Sequence, residues 1–228
     1  MRDDMEISIL FEDKHLVVCL KPRGVLSQSD SKGADGMPEL LASQLGGEIY
    51  PVHRLDREVS GVMAFARTRA AAAKLSQLVS DHEKFEKQYL AVVEGVPDAA
   101  SGVFEDLLFH DRFKNKTYVV DRMRGGVKAA KLSYEVLESV SREDGVLTLV
   151  RIRLYTGRTH QIRVQFSSRG LPLAGDKRYG AKTGGDIALF SEQLSFAHPI
   201  TKTAVCISAK PETEGTQGAF SAFEARTD

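Results

Sequence analysis

Residues 52–61 read Val-His-Arg-Leu-Asp-Arg-Glu-Val-Ser-Gly and place Asp56 between Arg54 and Arg57. A lone aspartate in a loop is more often a turn or helix-cap residue than a catalyst. Here, however, the flanking arginines favour its ionised form, and the polar run ends in a Ser-Gly turn before an apolar strand. The stretch therefore predicts a shaped site in which Asp56 is held ionised and directed at a bound polyanion.

A second dense polar run, residues 155–163, reads Tyr-Thr-Gly-Arg-Thr-His-Gln-Ile-Arg. Its last residue, Arg163, has apolar neighbours, so a helix or strand facing the core would bury it. A buried arginine requires a carboxylate, and a guanidinium and a carboxylate match as a bidentate pair. We therefore expect Arg163 to meet Asp56. A structural salt bridge elsewhere, or a solvated Arg163, is the alternative.

The composition is that of an ordinary globular protein. The chain has 228 residues, 42% hydrophobic and 27% charged, which is enough to bury a core. No run reaches the ~18 apolar residues of a membrane helix, and the N-terminus lacks the basic start and apolar run of a signal peptide. Cys19 and Cys206 lie in apolar strand-like runs without zinc-type spacing. These features predict a cytoplasmic protein with reduced, buried thiols.

The formal net charge is zero, which taken alone argues against a nucleic-acid binder. The distribution is uneven, because residues 112–131 are rich in Lys and Arg against Asp121 alone, and residues 151–182 against Asp176 alone. A neutral protein with two such stretches can still present a positive face to phosphates. Charges scattered over a solvated surface are the alternative.

Local patterns predict an α+β fold with an antiparallel sheet covered on one face. Turn-prone residues 12–14 separate strands 7–11 and 15–20, which indicates a hairpin. The other predicted strands are 62–66, 87–95, 117–120, 130–137 and 146–154, with closing elements at 187–194, 196–200 and 204–207. The predicted helices are 37–45, one capped by Thr68 and running to Ser80, and 159–168, where a strand stays open. We expect one domain over residues 1–211 and a flexible polar tail over 212–228.

Other chemistries fit the sequence less well. His53, Asp56 and Ser60 could be read as a triad, but they are too close in sequence and no Gly-x-Ser-x-Gly elbow exists. No phosphate-binding or dinucleotide fingerprint is present, and the carboxylates are dispersed, so we expect no metal and no cofactor. Tyr89, in the strand 87–95, is either core filling or a flat ring for a base, worth roughly 1–3 kcal/mol by stacking.

Taken in order, these motifs resemble the RluA-type RNA pseudouridine synthases. Residues 52–61 are similar to the family signature His-Arg-Leu-Asp, two variable residues, Thr-Ser-Gly, with Val59 in place of the threonine. The remaining similar segments are 13–24, 87–95, 156–163, 171–180 and 189–199. The chain departs from familiar members in having no room for an N-terminal S4-type domain, Phe190-Ser191 in place of His-Ala, and Gln165 in place of a histidine.

The resemblance implies a mixed, largely antiparallel sheet with flanking helices, and an isomerase that detaches uracil from ribose, turns it and rejoins it through carbon 5. Asp56 would act on the sugar or the base, Arg163 would pair with it, and Tyr89 would stack on the extruded base. The residues expected to bind the substrate are His53, Arg54, Arg57, Arg158, His160, Gln161 and Leu189. Among these, Arg54 would fill the vacated space and Leu189 would line the pocket.

The expected partner is RNA, a stem-loop of ribosomal or transfer RNA with a flippable uridine. We expect no membrane association, no obligate protein partner and a monomer. A non-catalytic RNA-binding protein on the same scaffold is the first alternative, and an unrelated hydrolase using Asp56 or Ser60 is the second. The sequence leaves open which RNA and which uridine would be modified.

Overall fold

The predicted N-terminal hairpin forms from β1 (Ile9–Glu12) and β2 (Leu16–Lys21), which pair antiparallel. Asp13 closes the turn, because its Oδ1 accepts hydrogen bonds from the backbone N–H groups of His15 and Leu16 at 2.7 and 2.8 Å. An aspartate that bonds the backbone two and three residues on is a common turn device. The hairpin is therefore confirmed.

This computed structural model describes residues 5–29, 33–81, 83–211 and 218–226. The chain divides into two compact units. The first unit is Met1–Lys87 with Ser191–Lys210, and the second is Gln88–Phe190 with Pro211–Asp228. The single domain expected over residues 1–211 stays a prediction.

In the first unit the hairpin continues into a larger antiparallel sheet. Its further strands are β3 (Tyr50–Pro51) and β4 (Ser60–Ala66), both antiparallel partners in this sheet. Helix α1 (Met37–Leu45) has the predicted bounds. Helix α2 (Arg69–Ser80) begins after Thr68, whose side chain accepts a hydrogen bond from Ala71 N, as predicted. Ala71 and Leu75 face the core, against a stack of Phe85 and Phe196 with rings 4.8 Å apart.

The second unit contains long antiparallel strands and, among its described residues, one α-helix. Its strands are β5 (Phe85–Glu94), which begins in the first unit, β6 (Ser101–Asp111), β7 (Lys116–Val120), β8 (Val127–Arg142) and β9 (Gly145–Leu154). The pairs β6–β7, β6–β8 and β8–β9 are antiparallel. Helix α3 (Gln161–Ser167) settles the open choice at 159–168 in favour of a helix. A short 3-10 helix, Lys177–Tyr179, follows it.

The expected fold class is confirmed, with mostly antiparallel strands and three α-helices among the described residues. Strand β6 was not predicted, since only Phe104 and Leu108 of it are buried and its apolar pattern is correspondingly weak. The predicted elements 187–194 and 196–200 are wrong as separate pieces: they form one strand, β10 (Leu189–Ala197). It pairs with β11 (Ala204–Ser208), on which Cys206 is exposed rather than buried, while Cys19 is buried.

The C-terminal segment contains an element that its polar composition hid. A kinked 3-10 helix spans Phe220–Arg226, and Phe220 and Phe223 are buried at 1% and 2% exposure. The expected tail at residues 212–217 and 227–228 lies outside the described residues. Within the described part of the chain, no helix combines the length and apolarity needed to span a membrane.

Candidate active site

The loop that carries Asp56 lies between β3 and β4 and is fixed through its main chain. Ser27 Oγ donates to Leu55 O at 2.7 Å and accepts from Leu55 N at 2.9 Å. Val59 N donates to Asp56 O at 3.0 Å, and Gly24 N donates to Arg57 O at 2.9 Å. None of these bonds uses the carboxylate of Asp56, which is half-buried. The loop backbone is thus positioned independently of these carboxylate oxygens.

Lys21 is the central clamp of this loop and was not predicted from the sequence. It is 1% exposed, and its Nζ donates to the carbonyl oxygens of Pro22, Arg57 and Val59 at 2.9, 3.2 and 2.7 Å. Burial lowers the pKa of Lys21 to about 8, and the nearby carboxylates of Glu58 and Asp56 act in the opposite direction. The feature of the sequence that could have indicated this role is the position of Lys21 at the end of an apolar strand, on its buried side.

Gly61 explains why the signature ends in glycine. Its φ is +121°, and a Cβ at this position would lie 2.4 Å from the backbone oxygen of Ser191 on β10. Such a distance is far inside van der Waals contact, so only glycine fits without moving a strand. Ser191 itself is fully buried and donates from Oγ to Val62 O at 2.9 Å. Ser191 stands where the motif it resembles has alanine, and this hydrogen bond satisfies its buried hydroxyl group.

The contacts of His53 in the structure are those of a residue that supports the fold. Its Nε2 accepts a hydrogen bond from Ala64 N at 3.0 Å. Burial, with a smaller contribution from the Lys87 ammonium, lowers the pKa of His53 to about 3, so the ring is neutral at pH 7. Because Nε2 is occupied by a backbone N–H, it is not available as a base for Ser60. This geometry opposes the triad reading.

The other predicted residues differ in exposure, and two of them, Tyr89 and Leu189, belong to the second unit. Arg54 and Arg57 are exposed, and Arg57 Nε donates to Gly24 O at 2.9 Å, so its side chain also braces the loop. Tyr89 is 6% exposed in the middle of β5, and Leu189, also 6% exposed, begins β10. Tyr89 lies two residues after the buried Lys87, so both side chains lie on one face of β5. Their contacts with a substrate stay predictions.

In the second unit, Arg163 is buried on α3 and has a carboxylate partner that was not predicted. Its Nε and Nη2 donate to Oδ2 and Oδ1 of Asp176 at 2.6 and 2.8 Å, and Asp176 is 1% exposed. This is the bidentate pair expected from the residue types. The signal was present in the sequence, since Asp176 is the single acid in the basic stretch 151–182. The pairing of Arg163 with Asp56 stays a prediction.

Tyr179 joins α3 to β7 behind this ion pair. Its Oη accepts from Thr117 N at 2.8 Å and lies 3.0 Å from His160 Nδ1, and burial raises its pKa. The guanidinium of Arg163 lies 5.0 Å from the centre of the Tyr179 ring, within the range of a cation–π contact. Arg163 is thus held from two sides by the segment that follows Gly175.

His160, Gln161 and Arg158 hold the start of α3. His160 adopts a left-handed backbone conformation with φ +54° at the helix N-cap. Gln161 is 3% exposed and accepts from Thr156 Oγ1 and Arg158 N at 2.8 and 3.0 Å, while its Nε2 donates to Lys131 O. Arg158 Nε donates to Ala129 O at 2.9 Å. These contacts are with the protein itself, and the predicted contacts with RNA stay untested.

The two basic stretches turn out to be unlike each other. In 151–182 several cations are committed within the protein: Arg163 to Asp176, Arg169 to Asp106, Arg151 to Glu135, and Arg178 to backbone oxygens of residues 114 and 115. In 112–131 six of the seven cations are exposed to solvent, namely Arg112, Lys114, Arg122, Arg124, Lys128 and Lys131, and two of these have exposed carboxylate partners, Arg122 with Asp121 and Lys131 with Glu105. The exposed stretch is therefore the better candidate for contact with a polyanion.

Comparison with known proteins bears on the family and the fold of this chain. A family model described as RNA pseudouridylate synthase matches residues 15–168. An uncharacterized RNA pseudouridine synthase, YhcT, of Bacillus subtilis is 34% identical, over 90% of this chain and 68% of its own. The ribosomal large subunit pseudouridine synthase D of Zymomonas mobilis is 33% identical, over 91% of this chain and 70% of its own length. The tRNA pseudouridine synthase C of Pasteurella multocida is 30% identical, over 90% of this chain and 91% of its own length. The structure of human RNA pseudouridylate synthase domain containing 4 shares the fold, with a TM-score of 0.76 and 23% identity, covering 95% of this chain and 93% of that chain.

Proposed function

The chain belongs to the RNA pseudouridylate synthase family, and from this premise we propose that it isomerises a uridine of structured RNA with Asp56 as the catalytic aspartate. The enzymes of this family are isomerases. The observation that carries the proposal is the main-chain clamp around Asp56. Lys21 and Ser27 fix the loop through backbone atoms of Leu55, Arg57 and Val59, so the position of Asp56 in the chain is defined on both sides.

The proposed reaction balances without any other reactant. The bond between N1 of uracil and C1′ of ribose breaks, a bond between C5 and C1′ forms, the hydrogen of C5 leaves as a proton, and N1 takes up a proton. Asp56 acts as the nucleophile, on the sugar or on the base. The carboxylates of Glu58 and Asp56 act electrostatically on the buried ammonium of Lys21 and oppose the lowering of its pKa by burial.

Arg163 and Tyr89 belong to the same proposal. Arg163 is fixed by Asp176 through Nε and Nη2, and we assign it the pairing role toward Asp56. Tyr89 supplies the ring on which the extruded base stacks and takes part in proton handling. Arg54 fills the space that the extruded base leaves, and Leu189 lines the uracil pocket. His53, Arg57, Arg158, His160 and Gln161 shape the surrounding surface.

For the substrate we propose a stem-loop of ribosomal or transfer RNA. Relatives at similar identity are named for the large ribosomal subunit and for transfer RNA, which supports both classes. The exposed cations of residues 112–131 would contact phosphates, and binding should weaken as salt concentration rises. We further propose that the protein acts as a monomer in the cytoplasm, with residues 1–211 as its catalytic domain.

The test uses cells that lack the gene and are complemented with wild type, Asp56→Asn or Glu58→Gln. Total RNA is read position by position by carbodiimide labelling and primer extension. In parallel, the purified proteins are given transcripts with tritium at C5 of uridine, which release tritium as C5 bonds to the sugar. We expect Asp56→Asn to lose at least about 1000-fold in rate while its melting temperature is kept.

Glu58→Gln is the matched control, because Glu58 is a neighbouring exposed carboxylate that also acts electrostatically on Lys21, and its ion pair with Arg23 is long, at 3.5 Å. It should restore the same RNA position as wild type. Retention by Asp56→Asn of a rate within tenfold of wild type would exclude Asp56 as the nucleophile. Full complementation by Asp56→Asn would favour the non-catalytic RNA-binding alternative instead.

A further inference from the structure

Phe113 is a fully exposed aromatic residue at the tip of the β6–β7 hairpin. Its exposure is 104%, the largest among the exposed large hydrophobic residues of the described chain. It stands between Arg112 and Lys114, both exposed. A phenyl ring in this position adds nothing to the core, and a polar turn residue would fit the fold equally well. A ring between two cations is instead the combination that proteins use to bind unpaired nucleic acid.

The hairpin tip holds this ring on a fixed backbone. Asp111 Oδ1 accepts from the backbone N–H groups of Phe113 and Lys114 at 2.9 and 3.0 Å. From the other side, Arg178 Nη1 donates to the carbonyl oxygens of Lys114 and Asn115 at 3.1 and 2.9 Å. A tip braced in this way loses little conformational entropy when it binds a partner.

The same short segment fixes the hairpin tip and Arg163. Arg178 belongs to the 3-10 helix Lys177–Tyr179, and Asp176, which precedes that helix, holds Arg163. Tyr179 of this helix also accepts from Thr117 N on β7. The tip therefore has a defined position relative to Arg163, within one compact unit. RNA that is bound at Phe113 would therefore lie at a defined position relative to Arg163.

We propose that Phe113 stacks on an unpaired base of the RNA substrate, away from the uridine that reacts, while Arg112 and Lys114 contact the adjacent phosphates. The inference rests on the proposed function for the identity of the substrate. It adds an anchoring point that favours RNA with an unpaired base next to a phosphate-rich stem. Further exposed cations follow β7 in the chain: Arg122 and Arg124 lie in the loop between β7 and β8, and Lys128 lies on β8.

The test measures binding of the full chain to two probes, unmodified transcripts of transfer RNA and of large-subunit ribosomal RNA. We expect Phe113→Ala to raise the Kd about tenfold, and Phe113→Trp to restore it, since the larger ring also stacks. The salt dependence should not change in Phe113→Ala, because no phosphate contact is lost. In Lys114→Gln the slope of log K against log salt should fall by about 0.7 to 0.9 for one lost contact.

Val103→Ala is the matched control, because Val103 is a 55% exposed apolar residue of β6. It should bind like wild type. Equal affinity of wild type and Phe113→Ala for both probes overturns the inference, as does an equal loss in Val103→Ala. Absence of wild-type binding to both probes would also overturn it.

Single-turnover tritium release separates this inference from the proposed function. At saturating enzyme Phe113→Ala should react at the wild-type rate, whereas Asp56→Asn should bind normally and fail to react. If wild type binds RNA through Phe113 yet releases no tritium, the inference holds and the proposed reaction falls. If wild type releases tritium and Phe113→Ala binds as tightly, only the inference falls.

Discussion

The first unit, here called the Asp56 half, and the second unit, here called the Arg163 half, each hold a buried cation, and they do so by opposite means. In the first unit, Lys21 is surrounded by three backbone carbonyl oxygens at 2.7 to 3.2 Å. In the second, Arg163 is joined to the carboxylate of Asp176 by two short hydrogen bonds. Carbonyl dipoles satisfy the ammonium without cancelling its charge, so its field still reaches Asp56 and Glu58. The carboxylate cancels most of the guanidinium charge and fixes its geometry instead.

From this contrast we expect substitutions in the two halves to lower the free energy of unfolding by different amounts, and we expect the largest loss of stability in the Arg163 half. Asp176→Asn should lower the free energy of unfolding by about 3–5 kcal/mol, because the buried guanidinium of Arg163 would lose the charge of the carboxylate that accepts two of its hydrogen bonds. Urea denaturation at pH 7 measures it. Glu135→Gln removes the partner of Arg151 in an exposed pair and should cost under about 1 kcal/mol. Equal losses in both variants would show that Asp176 does not compensate a buried charge.

In the Asp56 half, Lys21→Met should cost about 2 kcal/mol at pH 7, because the oxygens of Pro22 and Val59 lose the donor that Lys21 supplies. The deficit should grow with pH. In the folded protein the pKa of Lys21 is about 8, below its ordinary 10.5. Between these values the unfolded chain binds more protons than the folded one, so stability contributed through Lys21 rises with pH, by up to about 3 kcal/mol.

The measurement is the free energy of unfolding of wild type and Lys21→Met at pH 7, 8, 9 and 10. Lys87, whose pKa burial also lowers to about 8, is present in both proteins and cancels in the difference. A difference that stays flat from pH 7 to 10 would contradict a buried lysine that titrates near 8.

The smallest of these effects concerns Ser27, a neutral part of the same clamp. Ser27→Ala removes the donor to Leu55 O and the acceptor of Leu55 N, so it should cost about 1–2 kcal/mol. The rate of tritium release should fall as well, since the backbone of Asp56 is adjacent. Ser29→Ala serves as the control, because Ser29 bonds only the exposed Glu39 among the contacts described for it. If Ser27→Ala matches Ser29→Ala in stability and rate, the clamp does not depend on Ser27.

More of the Asp56 half than of the Arg163 half was predicted from the sequence. Its hairpin, α1, β4 and the Thr68 cap of α2 were all predicted, and the comparisons confirm the family that the motifs resemble. In the other half the sequence predicted a bidentate carboxylate for Arg163 but did not identify Asp176. Thirteen residues and a turn separate the two, so no local periodicity links them. The burial of Phe220 and Phe223 was missed because the polar composition of the C-terminal segment predicted a tail.

What the sequence determined by itself therefore has a local physical cause. Alternating apolar residues, turn residues and a capping threonine act between residues a few positions apart. The order of the motifs along the chain indicates the family, and this needs no knowledge of how the chain packs. The tertiary structure alone decided the partners: Lys21 with the carbonyls of the Asp56 loop, Gly61 against Ser191, and Arg163 with Asp176. These contacts join residues distant in the chain, and their register and burial exist only once the sheet and helices have packed.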